Sequence, residues 1–206
     1  MLRRRRAAGT DGTNGGLPMA GVVVFHSALG LRPAIETFAG RLREDGHEVW
    51  TPDLFAGSTF DDVDAGVAEV DRLGMEAVLA RAAEAVDPLP AEVVYLGISL
   101  GCMPAMQLSA TRPGARGVVQ VQSVVTPEDF DLPGWPEQLP VQLHVSPDDP
   151  WQDDVDQLVP SVPDGLLDVH TYPDTQHVFM DDELAVYDPA ATERFTAAVL
   201  GWLAAR

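Results

Sequence analysis

Val93-Val94-Tyr95-Leu96-Gly97-Ile98-Ser99-Leu100-Gly101-Cys102 is the stretch on which the reading of this chain turns. Its first four residues are apolar or aromatic, as expected of a buried parallel strand. From about Cys102 to Ala110 the pattern is helical. Between strand and helix lies Gly97-x-Ser99-x-Gly101. A strand-to-helix turn this sharp leaves no room for side chains two residues before and after its apex, and glycine at 97 and 101 removes the clash. Ser99 is then presented at the strand's carboxyl end, over the N-terminus of the next helix. The NH of Leu100 points to where an oxyanion on a substrate would form. The motif makes Ser99 a candidate nucleophile; the plainer reading is a glycine-rich turn with an incidental serine.

Strand and helix signals alternate on both sides of this motif. Upstream, Gly21–Phe25 is a short apolar run read as a strand, and Val49-Trp50 is a brief one stopped by Pro52. Between them Ile35, Phe38, Ala39 and Leu42 recur at the spacing of a core-facing helix that ends at Gly46. From Val63 to Val86 the pattern is helical, weakened at Gly66 and Gly74 so that a bend or two pieces is expected. Downstream, strands are read at Gly117–Val121, Val141–Val145 and Leu166–Tyr172. Thr126 to Pro140, with four Pro and a Trp, reads as an irregular loop, and Val155 to Val159 as a short helix. Phe195, Ala198, Val199 and Trp202 define a closing helix. This alternation predicts a single α/β domain over residues 19–206, with a mostly parallel sheet and helices on both faces. In such sheets the chemistry sits at the carboxyl ends of the strands. Residues 1–18 read as a disordered tail, and Met19 opens the first ordered-looking segment.

Composition narrows the function. Hydrophobic residues make up 46% of the 206, enough for one sizeable core. The formal net charge is −19; the 13 basic residues are all Arg, four of them at positions 3–6, so the rest of the chain is more acidic still. That charge repels phosphate backbones and argues against a nucleic-acid partner. No apolar run is long enough to cross a bilayer, and none follows the Arg run as a secretory signal requires. The single cysteine, Cys102, excludes an internal disulfide and fits a reducing compartment, so the expected location is cytoplasmic. The five His are scattered, and no metal site or organic cofactor is expected.

A serine nucleophile needs a base, and the base needs an orienting acid. His177 follows the last strand in Tyr172-Pro173-Asp174-Thr175-Gln176-His177, a loop position suited to reaching Ser99. His144 and His170 lie within strands and His47 precedes one; His26, at the end of the first strand, is the rival. The acid should follow a strand between Ser99 and His177, and Ser146-Pro147-Asp148-Asp149-Pro150-Trp151 offers two carboxylates. Position alone leaves both open. Pro150 restricts the residue before it to an extended backbone, which would hold Asp149 rigidly.

These segments, with Thr51-Pro52-Asp53-Leu54-Phe55, resemble the dienelactone hydrolase family of α/β-hydrolases from about Val22 to the C-terminus. The resemblance implies the order nucleophile, acid, histidine, and puts the acid at Asp149 once His144 and Trp151 are matched. It implies an oxyanion hole built from the NH groups of Leu100 and of Ala28 in the first loop. It also exposes departures. Family members that open dienelactone use a cysteine nucleophile, and here the residue is Ser99. Cys102 stands where the family often has glycine, and Ser27 where it has a glutamate. The arginine that binds the substrate carboxylate is missing from Ala56-Gly57-Ser58-Thr59.

The expected activity is hydrolysis of a small neutral ester or lactone, with catalytic Ser99, Asp149 and His177. Acyl transfer to another acceptor and thioester hydrolysis use the same machinery. A binding or regulatory module on the same fold would need none of the three residues. Phe25, Leu29, Phe55, Trp135, Trp151 and Phe179 are the aromatic and aliphatic residues that could wall a pocket, or simply pack in the core.

Overall fold

A computed structural model describes residues 20–151, 155 and 161–206. Its strands are β1 (Gly21–Phe25), β2 (Glu48–Trp50), β3 (Val93–Ile98), β4 (Gly117–Val121), β5 (Val141–Val145) and β6 (Leu167–Thr171). They form one sheet in the order β2-β1-β3-β4-β5-β6, and every pairing is parallel. The helices are α1 (Pro33–Glu44), α2 (Val63–Leu73), α3 (Met75–Val86), α4 (Cys102–Thr111) and α5 (Pro189–Leu203). The tail expected at residues 1–18 lies outside the described residues, as does the helix expected over 155–159 apart from Val155.

The two faces can be read from strand alternation. Side chains along a strand point alternately to opposite faces. Val22, Val24, Val94, Leu96, Ile98, Val119 and Val121 pack with Ile35 and Phe38 of α1 and with Phe195 and Val199 of α5. Val23, Phe25, Val93, Tyr95, Val118, Val141 and Leu143 pack with Val78 and Ala82 of α3 and with Ala105 and Met106 of α4. Helices therefore cover both faces, and β1 and β3, in the middle of the sheet, read as continuous apolar runs because both sides are buried.

Helix ends follow local chemistry. Asp62 caps α2 by accepting from the Ala65 NH at 3.0 Å, and Asp188 caps α5 by accepting from the NH groups of Ala190 and Ala191. Pro33 and Pro189 occupy first-turn positions, where a missing NH costs nothing. The weak point between Val63 and Val86 resolves into two helices that meet at Gly74, with Gly66 left inside α2. In the Thr126–Pro140 loop, Thr126 and Asp129 form a reciprocal cap on a short 3-10 turn, and Trp135 donates to the Leu139 carbonyl at 2.8 Å.

Chain direction reverses across the sheet between β1 and β3. From β1 the chain runs to β2 on one side and then returns to β3 on the other. The crevice beyond the carboxyl ends of these two strands is where open parallel sheets bind ligands. Ser99 follows β3 and Ala28 follows β1, so both fall there.

Candidate active site

Ser99 has a φ of 52°. This left-handed conformation costs a non-glycine residue roughly 1–3 kcal/mol and persists only where its surroundings impose it. Two close approaches impose it here. A Cβ at position 97 would strike the Gly101 carbonyl and the Cys102 NH, so Gly97 is required by the turn itself. A Cβ at position 101 would instead strike the carbonyls of Phe25 and His26, so Gly101 is required by the neighbouring loop. Strand register explains this contact, since Phe25 lies opposite Gly97. Cys102 seats the helix start from beneath, its Sγ donating to the Gly97 carbonyl at 3.2 Å.

Ser99, His177 and Asp149 meet at this elbow. Ser99 Oγ lies 2.8 Å from His177 Nε2, and His177 Nδ1 lies 2.6 Å from Asp149 Oδ2. Nδ1 faces a carboxylate and therefore carries the proton, which leaves Nε2 as the acceptor for the serine hydroxyl. Asp149 and His177 are buried, and the second carboxylate oxygen of Asp149 accepts from the Trp151 NH at 3.0 Å. Asp148 is exposed, and its carboxylate accepts from the Asp174 NH at 3.4 Å.

His26 is committed elsewhere. Its Nε2 accepts from the Leu54 NH at 3.0 Å, so its proton sits on Nδ1, which donates to the Ser27 carbonyl at 2.7 Å. Burial, the largest influence, lowers its pKa from the usual histidine value. His26 thus ties the first loop to the Pro52–Phe55 segment, where Asp53 accepts from the NH groups of Phe55 and Gly57.

Leu100 and Ala28, the two residues expected to supply the oxyanion hole, lie on the elbow and on the loop after β1 that packs against it. Leu100 lies in the first turn of the short helix Ser99–Gly101, where backbone NH groups have no intrahelical acceptor. Ala28 lies in a tight turn whose hydrogen bonds are donated by Leu29 and Gly30.

A family model for the dienelactone hydrolase family matches residues 7–206. The chain belongs to the dienelactone hydrolase family. As a member it is a hydrolase acting on ester bonds. Among solved structures, the chain is similar to a dienelactone hydrolase-like promiscuous phosphotriesterase from metagenomic libraries. The identity is 21%, the TM-score is 0.67, and the match covers 91% of this chain and 87% of that one. A putative dienelactone hydrolase from Klebsiella pneumoniae subsp. pneumoniae MGH 78578 matches with 19% identity and a TM-score of 0.68, over 94% of this chain and 90% of that one. A cold-adapted esterase from an Arctic intertidal metagenomic library matches with 19% identity and a TM-score of 0.62, over 92% of this chain and 84% of that one. A search of curated proteins found no match.

A cavity of about 300 Å³ opens beside His177 in this family fold. Its apolar walls come from Leu29, Val63, Trp151, Val178, Leu184 and Val186, and its acidic rim from Asp61 and Asp62. Of the aromatic and aliphatic residues singled out in the sequence, Leu29 and Trp151 line it. Phe25, Phe55, Trp135 and Phe179 are buried in the two cores. Arg32, the cation nearest the first loop, is buried and fully engaged. Its Nε donates to Asp181 at 2.5 Å, its Nη1 to Asp61 at 2.6 Å and the Phe60 carbonyl at 3.0 Å, and its Nη2 to Glu183 at 3.3 Å.

Sequence reading missed Gln122, Ser146 and Thr175. Gln122, just beyond β4, is fully buried with a φ of 54°. Its Nε2 lies 2.9 Å from Ser146 Oγ, 2.9 Å from the Gln176 carbonyl and 3.3 Å from Asp149 Oδ2, and its Oε1 accepts from the Val178 NH at 2.7 Å. Ser146 Oγ and Thr175 Oγ1 lie 2.7 Å apart, and the Thr175 hydroxyl donates to the Tyr172 carbonyl at 2.7 Å. The signal available was a polar residue just past β4, the strand next to the one that leads into Ser99.

Proposed function

We propose that this protein hydrolyses a small neutral ester or lactone through an acyl-enzyme on Ser99. The observation that carries the reading is the unbroken line from Ser99 Oγ through His177 to Asp149, with links of 2.8 and 2.6 Å, beside an apolar cavity. Ser99 attacks the carbonyl carbon while His177 Nε2 takes its proton. Asp149 keeps the imidazole in the required tautomer and stabilises the imidazolium that forms. Negative charge developing on the carbonyl oxygen is met by the NH groups of Leu100 and Ala28. His177 then protonates the departing alkoxide, and later takes a proton from the water that frees the acyl group.

The lining supports a neutral substrate. Asp61 and Asp62 edge the cavity, and the guanidinium of Arg32 is held by three carboxylates. The acidic charge of the chain also speaks against a nucleic-acid partner. The lone cysteine fits a cytoplasmic setting; no described helix is long and apolar enough to cross a membrane.

Ser99→Ala is the test. It should abolish hydrolysis of p-nitrophenyl acetate and butyrate, a loss of roughly 10⁴ to 10⁶ in rate, and abolish labelling by a fluorophosphonate while leaving the fold intact. Hydrolysis by the folded variant well above a catalyst-free control would remove Ser99 from the mechanism.

A further inference from the structure

We propose that Gln122 is a positioning residue for catalysis, a clamp that holds the histidine loop and the acid turn in one geometry. The inference rests on the Ser99–His177–Asp149 reading. Among the described residues, Gln122 makes no hydrogen bond to Ser99; it binds Asp149, Gln176 and Val178, which line the cavity from behind, and acts through the two residues behind the serine.

The orientation of its amide follows from its partners. The Val178 NH is a donor, so the atom facing it at 2.7 Å is the amide oxygen and the other is the NH₂ group. The NH₂ hydrogens then serve Ser146 Oγ and the Gln176 carbonyl, each at 2.9 Å, with Asp149 Oδ2 at 3.3 Å as a further acceptor. One planar group thus binds the carbonyl before His177 and the NH after it, much as a strand partner would. The same NH₂ group reaches the acid turn at Ser146 and at Asp149. The Thr175 hydroxyl spends its proton on the Tyr172 carbonyl, so Ser146 donates to Thr175 and accepts from Gln122. The hydroxyls therefore bridge the same two segments in one consistent direction.

The backbone places the amide for this task. The Gln122 NH donates to the His144 carbonyl at 2.8 Å, which anchors it to β5. Its positive φ turns the chain sharply just past the end of β4. With no exposed surface, the amide has no water to substitute for a lost partner. Among side chains, only an amide supplies a donor and an acceptor together without charge at neutral pH and at this length. A carboxylate would be acceptor-only and would repel Asp149. A thioether would satisfy neither the Val178 NH nor the Gln176 carbonyl.

The decisive experiment uses Gln122→Met, Gln122→Glu and Ser99→Ala, each assayed with p-nitrophenyl butyrate and by the rate of fluorophosphonate labelling. In Gln122→Met, kcat should fall by about 10²-fold, the scale of a 1 Å misplacement, with KM within about twofold of wild type. In Gln122→Glu, the neutral carboxyl keeps one donor and one acceptor, whereas its ionised form loses the donor. Burial beside Asp149 delays that ionisation to higher pH. Its pH–rate profile should therefore gain a falling limb on the alkaline side, where wild type holds a plateau, and the loss should reverse on acidification. A merely structural role would lower the melting temperature of both variants without changing kcat per folded molecule or the shape of the profile, and that result overturns the proposal. If Gln122→Met does not fold, the Gln122→Glu profile decides alone. If Ser99→Ala is inactive and both Gln122 variants match wild type, only the clamp fails. If Ser99→Ala still turns over, the triad reading and the clamp fall together.

Discussion

Two adjacent aspartates differ by everything that surrounds them. Asp149 is buried, with one oxygen 2.6 Å from His177 Nδ1 and the other held by the Trp151 NH. Asp148 is exposed and caps the Asp174 NH at the edge of the histidine loop. An amide at 149 would offer its NH₂ or its carbonyl to the ring and favour the wrong histidine tautomer, so Asp149→Asn should slow ester hydrolysis by about 10⁴-fold without unfolding the protein. Asp148→Asn should stay within about tenfold of wild type, since its contact is long and solvent-exposed. Steady-state kinetics on the two variants, with circular dichroism as the control for folding, checks both; equal effects would show that the pair is not divided in this way. The juxtaposition of Ser99, Asp149 and His177 was legible in the sequence because each stands just after a strand, and parallel strands bring those positions to one edge of the sheet. Gln122, Ser146 and Thr175 were not legible. Their meaning lies in contacts across 24 to 56 residues of chain, and nothing in a lone glutamine, serine or threonine announces a partner that far away.

At the scale of elements, most strands and helices could be placed from periodicity because both faces of the sheet are covered, which makes β1 and β3 apolar throughout and helices one-sided. What periodicity could not show is why α2 carries a glycine in its interior. Gly66 is buried, and a Cβ there would run into the carbonyl of Ala28. The helix lies directly against the backbone of the first loop, and α2 begins at Val63, a wall of the cavity. Glycine at 66 destabilises the helix by roughly 1 kcal/mol relative to alanine, so its presence is explained by proximity rather than propensity. Gly66→Ala should push α2 or the first loop aside and carry the Ala28 NH with it. Loss of an oxyanion donor costs about 10² to 10³ in kcat, and a displaced one should cost part of that, about tenfold or more. Gly40 provides the comparison: it sits in α1 with open space around its Cβ position, and Gly40→Ala should leave kcat unchanged and raise the melting temperature slightly. Kinetics and thermal melts of the pair check the prediction; equal kcat values in both variants would show that the contact with Ala28 has no bearing on the site.

Charge is a property of the whole molecule, and here it bears on what can enter the cavity. The chain carries a formal charge of −19. Such a charge repels anions over the Debye length, and a low-dielectric cleft focuses the field at its mouth. Asp61 and Asp62 add negative charge at that mouth. Among the described residues Arg32 is the cation nearest the first loop, but its guanidinium already faces Asp61, Asp181 and Glu183, so it stands as a staple between Asp61 at the cavity rim and the Asp181–Glu183 segment rather than as a receptor for a substrate carboxylate. Ala56-Gly57-Ser58-Thr59, where family resemblance would put a carboxylate-binding arginine, contains none. At low salt, a neutral ester should therefore show a kcat/KM roughly tenfold above that of a carboxylate-bearing ester of the same size, the lower end of what electrostatic steering produces. Raising the ionic strength should narrow the gap by speeding the anionic substrate, because screening acts on the long-range field and not on the chemistry. Asp61→Asn should narrow it too, since it removes a rim charge while Asp181 still holds Arg32. A higher kcat/KM for an anionic lactone than for its neutral counterpart, lost in Arg32→Ala, would mean that the guanidinium exchanges its carboxylate partners for substrate and that the charge argument is wrong.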